Sequence, residues 1–188
     1  MPSDLAEVLR RHDPDRWTGT LAYRPRSALP FDPATIAPGR ALTLDTTVYI
    51  DALGPRGLPG AIAALLASRP IVHAAVACAE IAISFGHLDP LHPGTPGIRT
   101  ALAEVLDRVG RGTVRAASPQ AWVEAAALAG ILARTQGLAK ASRRDLLLDA
   151  LLLLEAAESG AVLLSRNIRH MDLLTQLRPD AAILLYDL

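Results

Sequence analysis

Ala161-Val162-Leu163-Leu164-Ser165-Arg166-Asn167 is the stretch on which the reading of this chain turns. A short apolar run ends in a hydroxyl, a cation and an amide, as a strand does when it delivers polar groups to a site. Two further runs have the same form. Ala41-Leu42-Thr43-Leu44 ends in Asp45-Thr46-Thr47, and Ile71-Val72-His73-Ala74-Ala75-Val76-Ala77-Cys78-Ala79 leads into Glu80. Adding 112–116 and 182–186, the strand candidates are 41–45, 71–75, 112–116, 161–165 and 182–186. Between them lie helix candidates at 47–53, 58–68, 76–86, 97–109, 119–135, 143–159 and 168–177. Short run, helix, short run is the pattern of an α/β layered domain on a parallel sheet.

Local signals support the helix starts and stops. Thr95 and Ser118 each precede a proline at a first-turn position, and Ser142-Arg143-Arg144-Asp145 has the form of a capping box. Gly110, Gly137 and Gly160 fall where helices should stop. Residues 1–40 differ: after a short helix candidate from Ser3 to His12, prolines at 14, 25, 30, 33 and 38 oppose regular structure. They read as an arm that wraps the domain or a partner. The expected division is therefore an N-terminal helix and proline-rich arm, 1–40, and one domain, 41–188.

The 188 residues are 51% hydrophobic, with 19 basic and 19 acidic side chains, enough apolar material for one core and no global charge to attract nucleic acid. Aromatics at 4% leave the core to Leu, Ala, Val and Ile and argue against aromatic base-stacking platforms. Lys140 is the only lysine, so cationic contacts fall to arginine. The lone Cys78 excludes an intramolecular disulfide and fits a reducing compartment; with the acidic opening Ser3-Asp4-Leu5-Ala6-Glu7, the expectation is cytoplasmic. The greasiest stretch, 146–157, is too short for a membrane span and carries Asp149 and Glu155.

Asp45, Glu80, Asp149 and Asn167 each stand against an apolar run. A carboxylate near a low-dielectric core costs several kcal/mol unless it is compensated, and a divalent cation is a common compensator. Each has a plainer explanation. Asp45 suits a helix N-cap, Glu80 at the opening of the helix after its strand suits the macrodipole, and Thr46 suits a first-turn cap or a hydrogen bond to an acid. Asp149 resists such accounts, since Leu146, Leu147, Leu148, Leu151, Leu152, Leu153 and Leu154 surround it. Asp145 lies one turn earlier as an auxiliary candidate. Ser165 is read as donating to a carboxylate or phosphate, or as strand-end bonding. Arg166 and Arg169 are read as phosphate contacts or as solvated cations. His87 and His92 match no zinc spacing, His73 reads as a hydrogen-bonded core residue, and His170 carries no assigned role. Phosphate loops, dinucleotide fingerprints and nucleophile elbows are missing from the sequence.

In order and spacing these segments resemble the PIN-domain nucleases, and among them the VapC-type toxin ribonucleases of bacterial toxin–antitoxin pairs. Leu42-Thr43-Leu44-Asp45-Thr46-Thr47-Val48 is similar to the first motif of that family, and Ala79-Glu80-Ile81 to the second. Asp149-Ala150-Leu151-Leu152 with Glu155, followed by 160–167, is similar to the third and fourth. The chain departs from the pattern at Asn167, where many relatives carry an acid, and in its long arm. The resemblance implies a PIN-like three-layer α/β fold, a small central parallel sheet flanked by helices. It also implies a magnesium- or manganese-dependent endoribonuclease, with an RNA substrate, a homodimer and a small antitoxin; Asp45 and Asp149 are the expected direct ligands, Glu80 ligates or orients a bound water, and Asn167 holds a metal-bound water through its amide oxygen. The helices at 58–68 and 121–133 are the faces expected against such partners. A catalytically weak PIN-like binding module, or a DNA nuclease using the same acids, are the alternatives.

Overall fold

A computed structural model describes residues 5–139 and 142–188. All five expected strands are present as β1 (Leu42–Leu44), β2 (Val72–Ala74), β3 (Thr113–Arg115), β4 (Val162–Ser165) and β5 (Ile183–Leu185). β1, β4 and β5 pair in parallel, as do β2 and β3. A parallel bridge between Leu42 and Ile71, with the Leu42 N–H donating to Pro70 O at 2.9 Å, joins the two groups into the spatial order β3-β2-β1-β4-β5. Eight helices complete the described elements: α1 (Leu5–Arg11), α2 (Thr46–Leu53), α3 (Gly60–Ser68), α4 (Ala75–Gly86), α5 (Thr95–Gly110), α6 (Pro119–Thr135), α7 (Ser142–Glu158) and α8 (Ile168–Leu177). The arrangement is the expected PIN-like three-layer fold, a small parallel sheet flanked by helices.

The two-residue period of the strands builds the layers. Leu42, Leu44, Val162, Leu164 and Leu184 turn to one face and pack with Val48, Ile62 and Leu65 of α2 and α3. Leu163 and Leu185 turn to the other, against Leu128 and Leu132 of α6 and the leucines of α7. α7 explains its own composition: Leu146, Leu151, Leu152, Leu153 and Leu154 are all buried, because the helix lies between sheet and α6. Removing such a fully enclosed leucine costs about 2–5 kcal/mol.

Several local expectations are corrected. Ser118 does cap α6, accepting from Ala121 N–H at 3.1 Å. Thr95, however, is inside α5 and donates its hydroxyl to Asp89 O instead of capping. Ser142 is the first residue of α7 and Asp145 is exposed in its first turn, so no capping box is formed between them. Gly137 and Gly160 take left-handed backbone (φ 61° and 68°), the conformation that ends α6 and α7; Gly110 has no such φ and belongs to the last turn of α5. α6 turns most of its 121–133 stretch inward against α7 and under α1, and leaves a stripe of Trp122, Ala126 and Gly130 exposed. α3 keeps only Ile62 and Leu65 buried and leaves its alanines outward.

The segment before β1 lies on its own domain; Ser3, where its helix was expected to begin, falls outside the described residues. Val8 of α1 is buried against α6. His12 Nε2 meets Glu124 Oε1 at 2.6 Å, and Arg178 pairs with the same carboxylate. Farther on, Trp17, Leu21, Leu29 and Phe31 pack on the main core, and the Leu185 N–H donates to Pro30 O at 2.8 Å, so the arm covers the outer edge of β5. No helix among the described residues is long and apolar enough to cross a membrane.

Glu124 makes the arm's attachment sensitive to acid. Burial raises its pKa, but the hydrogen bonds from His12 and Arg178 more than offset this and hold it below the ordinary 4.5. The folded chain therefore sheds this proton more readily than the unfolded chain. Its stabilisation is complete above the ordinary value and is lost as pH falls through the folded one. The melting temperature of the wild type should fall between about pH 5 and about pH 3 more steeply than that of Glu124→Gln. Equal slopes in thermal melts would show that this carboxylate does not carry the effect.

Candidate active site

Every acid of the site sits where a strand hands over to a helix, or on the helix that crosses beneath. β1 ends at Leu44, and Asp45 takes an extended conformation (φ −66°, ψ 152°) as the N-cap of α2, accepting from Thr47 N–H at 3.0 Å. Its other oxygen, Oδ2, accepts from the Ser165 hydroxyl at the end of β4, and Ser165 Oγ in turn accepts from Asn167 N–H at 2.9 Å. The capping role of Asp45 and its place beside β4 are thus one geometry, since one oxygen serves each.

Thr46 does not cap. Its hydroxyl donates to Glu80 Oε2 at 2.5 Å, tying α2 to α4. Glu80 stands in the second turn of α4, which begins at Ala75, so it does not open the helix and the macrodipole does not account for it. Asn167 caps α8, with Oδ1 accepting from His170 N–H at 3.4 Å, while Nδ2 donates to both oxygens of Asp149 at 3.1 Å. His170 Nδ1 lies 2.6 Å from Asp149 Oδ2. The sequence reading places that histidine near the fourth segment without a role; the signal for one is its i+3 spacing from Asn167, which places cap and ring on one side of the first turn.

The site is short of positive charge. Burial raises the pKa of Asp45, the Ser165 and Thr47 hydrogen bonds lower it, and the charge of Asp149 raises it again, for a net increase above 3.8. Glu80 is pushed up to about 7 by burial, with the Thr46 hydrogen bond opposing and Asp149, Asp45 and Asp145 adding repulsion. His170 is raised, first by its hydrogen bond to Asp149 and against burial. The charge of Asp149 thus adds to both Asp45 and Glu80, and the His170 imidazole is the basic side chain in direct contact with Asp149. Asp145, on the exposed side of α7, acts on them only through space.

Arg166 is committed elsewhere. Its Nε and Nη2 bind Asp51 Oδ2 and Oδ1 at 2.6 and 3.0 Å, and Tyr186 donates to the same carboxylate at 2.7 Å. Asp51, 6% exposed, is the buried acid that the fork neutralises, so the expectation of a phosphate contact at Arg166 is replaced by a clamp between α2, β4 and β5. No sequence signal marks Asp51, which lies on α2 six residues after Asp45.

The oxygen-rich donor set of Asp45, Glu80 and Asp149 has the chemistry that suits magnesium or manganese. Among the described residues no three His, Cys, Asp or Glu side chains are gathered closely enough to enclose an ion. Magnesium needs no such cage, since one or two carboxylates with retained waters suffice. His87 and His92 join no cluster either; His92 Nδ1 accepts from Gly94 N–H at 3.1 Å within its own loop.

No protein-family model matches the sequence, and no curated protein matches it. The fold is shared with chains of three solved complexes. One is VapBC2 of Rickettsia felis bound to a fragment of promoter DNA (TM-score 0.51, 15% identity, 78% of this chain and 99% of that one). The second is VapBC-1 of nontypeable Haemophilus influenzae (0.52, 18%, 77% and 97%), and the third is DNA-bound VapBC of Salmonella typhimurium (0.52, 20%, 77% and 96%). At these identities the likeness is one of fold. The neighbours map nearly whole onto about three-quarters of this chain, which leaves room for its additional arm.

Replacing Arg166 by Met should strand Asp51 with one neutral partner and destabilise the fold by about 2–4 kcal/mol. Denaturant unfolding reads this directly. A variant as stable as wild type would return Arg166 to the pool of free cations.

Proposed function

We propose that this chain is a divalent-metal-dependent endoribonuclease, the toxin of a toxin–antitoxin pair. The observation that carries the reading is the hydrogen-bonded chain Asp45–Ser165–Asn167–Asp149, with Glu80 tied in through Thr46, at the carboxyl edge of a parallel sheet, where no arginine partners these acids among the described residues. Ligands of open α/β sheets bind at that edge. The fold shared with VapBC chains supports the toxin assignment and the expectation of an antitoxin partner, and the reading carries with it a homodimer.

Asp45 and Asp149 would hold magnesium or manganese directly, and Glu80 would ligate it or orient a water. The cation supplies charge neutralisation at the phosphoryl oxygens and acidifies the attacking water. The protein's own part is positioning. Ser165 and the Thr47 amide fix the two oxygens of Asp45, and Thr46 fixes the Glu80 carboxylate. Asn167 and His170 hold Asp149 from the side of α8, so a displacement of that helix would displace the ligand. Burial of Asp45 and Asp149, 4% and 9% exposed, keeps bulk water from screening these charges.

A second reading, a catalytically weak binding module, draws on Asn167: its amide donates to Asp149 where an acid would bring a further metal-directed charge. Cleavage of single-stranded RNA and DNA with and without magnesium or manganese separates the readings. Wild type should cut RNA only with metal, and Asp45→Ala and Asp149→Ala should fall to background. Metal-dependent cutting confined to DNA would move the assignment to a DNA nuclease, and inert, well-folded wild type would favour the module. Ser165→Ala, which frees Asp45 without removing it, should lose about 10- to 100-fold in rate. Full activity in that variant would remove Ser165 from the site.

A further inference from the structure

Beside the acids, on the outer side of α8, lies a groove of about 520 Å³ lined by Asn167, His170, Arg169, Leu173, Leu138 and a residue from the arm, Tyr23. Two of these, Asn167 and His170, hydrogen-bond to Asp149, so the groove adjoins the acidic site.

Tyr23 is held there firmly. The backbone on either side of it is tied to α8: Ala22 O accepts from Gln176 Nε2 at 3.1 Å, and Arg24 N–H donates to Asp172 Oδ2 at 2.8 Å. Arg24 then adds its guanidinium, with Nε on Asp172 Oδ1 and Nη2 on Thr175 Oγ1, both at 2.6 Å. Asp172 is 2% exposed, so the anchor is buried although the ring it positions is not. Tyr23 is 49% exposed, and the Arg169 guanidinium stands 5.4 Å from its centroid. The chain's other two tyrosines are engaged inside the fold, Tyr49 with His73 and Tyr186 with Asp51. The half-exposed ring thus carries a cation over it, on a rigid mount next to a candidate nuclease site.

We propose that Tyr23 and Arg169 form a nucleotide platform for single-stranded RNA: a base stacks on the open part of the Tyr23 ring and Arg169 contacts the adjoining phosphate, which sets the strand across the acids. This rests on the nuclease reading and deepens it, assigning the arm a part in holding substrate. Stacking needs only a π-face, so the platform is tolerant of base identity. One well-mounted ring suffices where composition leaves no material for an array.

Binding is measured on the full chain by fluorescence anisotropy with a labelled mixed-sequence single-stranded RNA under chelation, and cleavage separately with metal. Tyr23→Ala should weaken binding about tenfold, whereas Tyr23→Phe, which keeps the ring, should stay within about twofold of wild type. Arg169→Ala should also weaken binding and lower the slope of affinity against salt by about one, a change Tyr23→Ala should not produce. In cleavage, KM should rise in both alanine variants with kcat unchanged, and thermal melts should match wild type. Unchanged RNA affinity and KM in Tyr23→Ala, with cleavage intact, overturns the platform and leaves the nuclease. Equal losses in Tyr23→Ala and Tyr23→Phe overturn it too, since the ring is then not what matters. Tyr23-dependent RNA binding without any cleavage supports the platform and removes the nuclease. Wild type that binds no RNA overturns both.

Discussion

The placing of Asp45, Glu80 and Asp149 at one edge of the sheet, none with an arginine partner among the described residues, is the constraint around which the fold is arranged. Burial raises the pKa of Asp45 and Glu80 and the charge of Asp149 adds to both, so the elements that carry them must be tied to one another. β1 carries Asp45 beside β4, whose last residue supplies the Ser165 hydroxyl. α2 and α4 are cross-tied through Thr46 and Glu80, and α7, enclosed between sheet and α6, presents Asp149. Parallel strands are suited to this, because every one of them ends on the same edge and every following helix begins there.

The rest of the charge in the molecule is treated differently. Asp51 has Arg166, Asp172 has Arg24, and Glu124 has both His12 and Arg178. Glu155, buried on α7, has no arginine in contact but accepts from Ala117 N–H at 3.0 Å and faces the amides that open α4. Asp51, Asp172 and Glu124 are thus compensated by basic side chains, as the cost of burying an unpaired charge demands, whereas Glu155 is met by amides alone and its Oε2 has no hydrogen-bond partner. Asp45 and Glu80 receive hydroxyls and one amide, and Asp149 an amide and an imidazole. The site acids thus share with Glu155 of α7 the want of an arginine, and differ from it in standing at the sheet's carboxyl edge.

Much of this was legible in the sequence. The strands could be read because each is a short apolar run ended by a polar residue, and the helices because their lengths and stops are separated by glycine and proline. What could not be read is long-range. Ser165 and Thr46 are small hydroxyls whose partners lie 120 and 34 residues away, and neither spacing leaves a pattern. Arg166 looked like a free cation at a helix start because Asp51 and Tyr186, which engage it, come from α2 and the residue after β5. The sequence reading has Glu80 open its helix although the helix expected at 76–86 already begins a turn before it, and α4 does begin at Ala75.

The arm shows the limit of local reading most clearly. Its prolines correctly exclude long regular elements, yet exclusion of regular structure is not exclusion of order. Short turns at Pro14–Arg16, Arg26–Ala28 and Pro33–Thr35 alternate with contacts to α6, α8 and β5, and each contact satisfies a group the domain would otherwise leave open: Glu124, Asp172, the Leu185 N–H. The domain's charge balance is therefore incomplete without these residues. That dependence fixes the arm's path along α8, and the path carries Tyr23 to the groove beside Asp149, so the ion pair that secures the fold is also what sets the ring next to the acids.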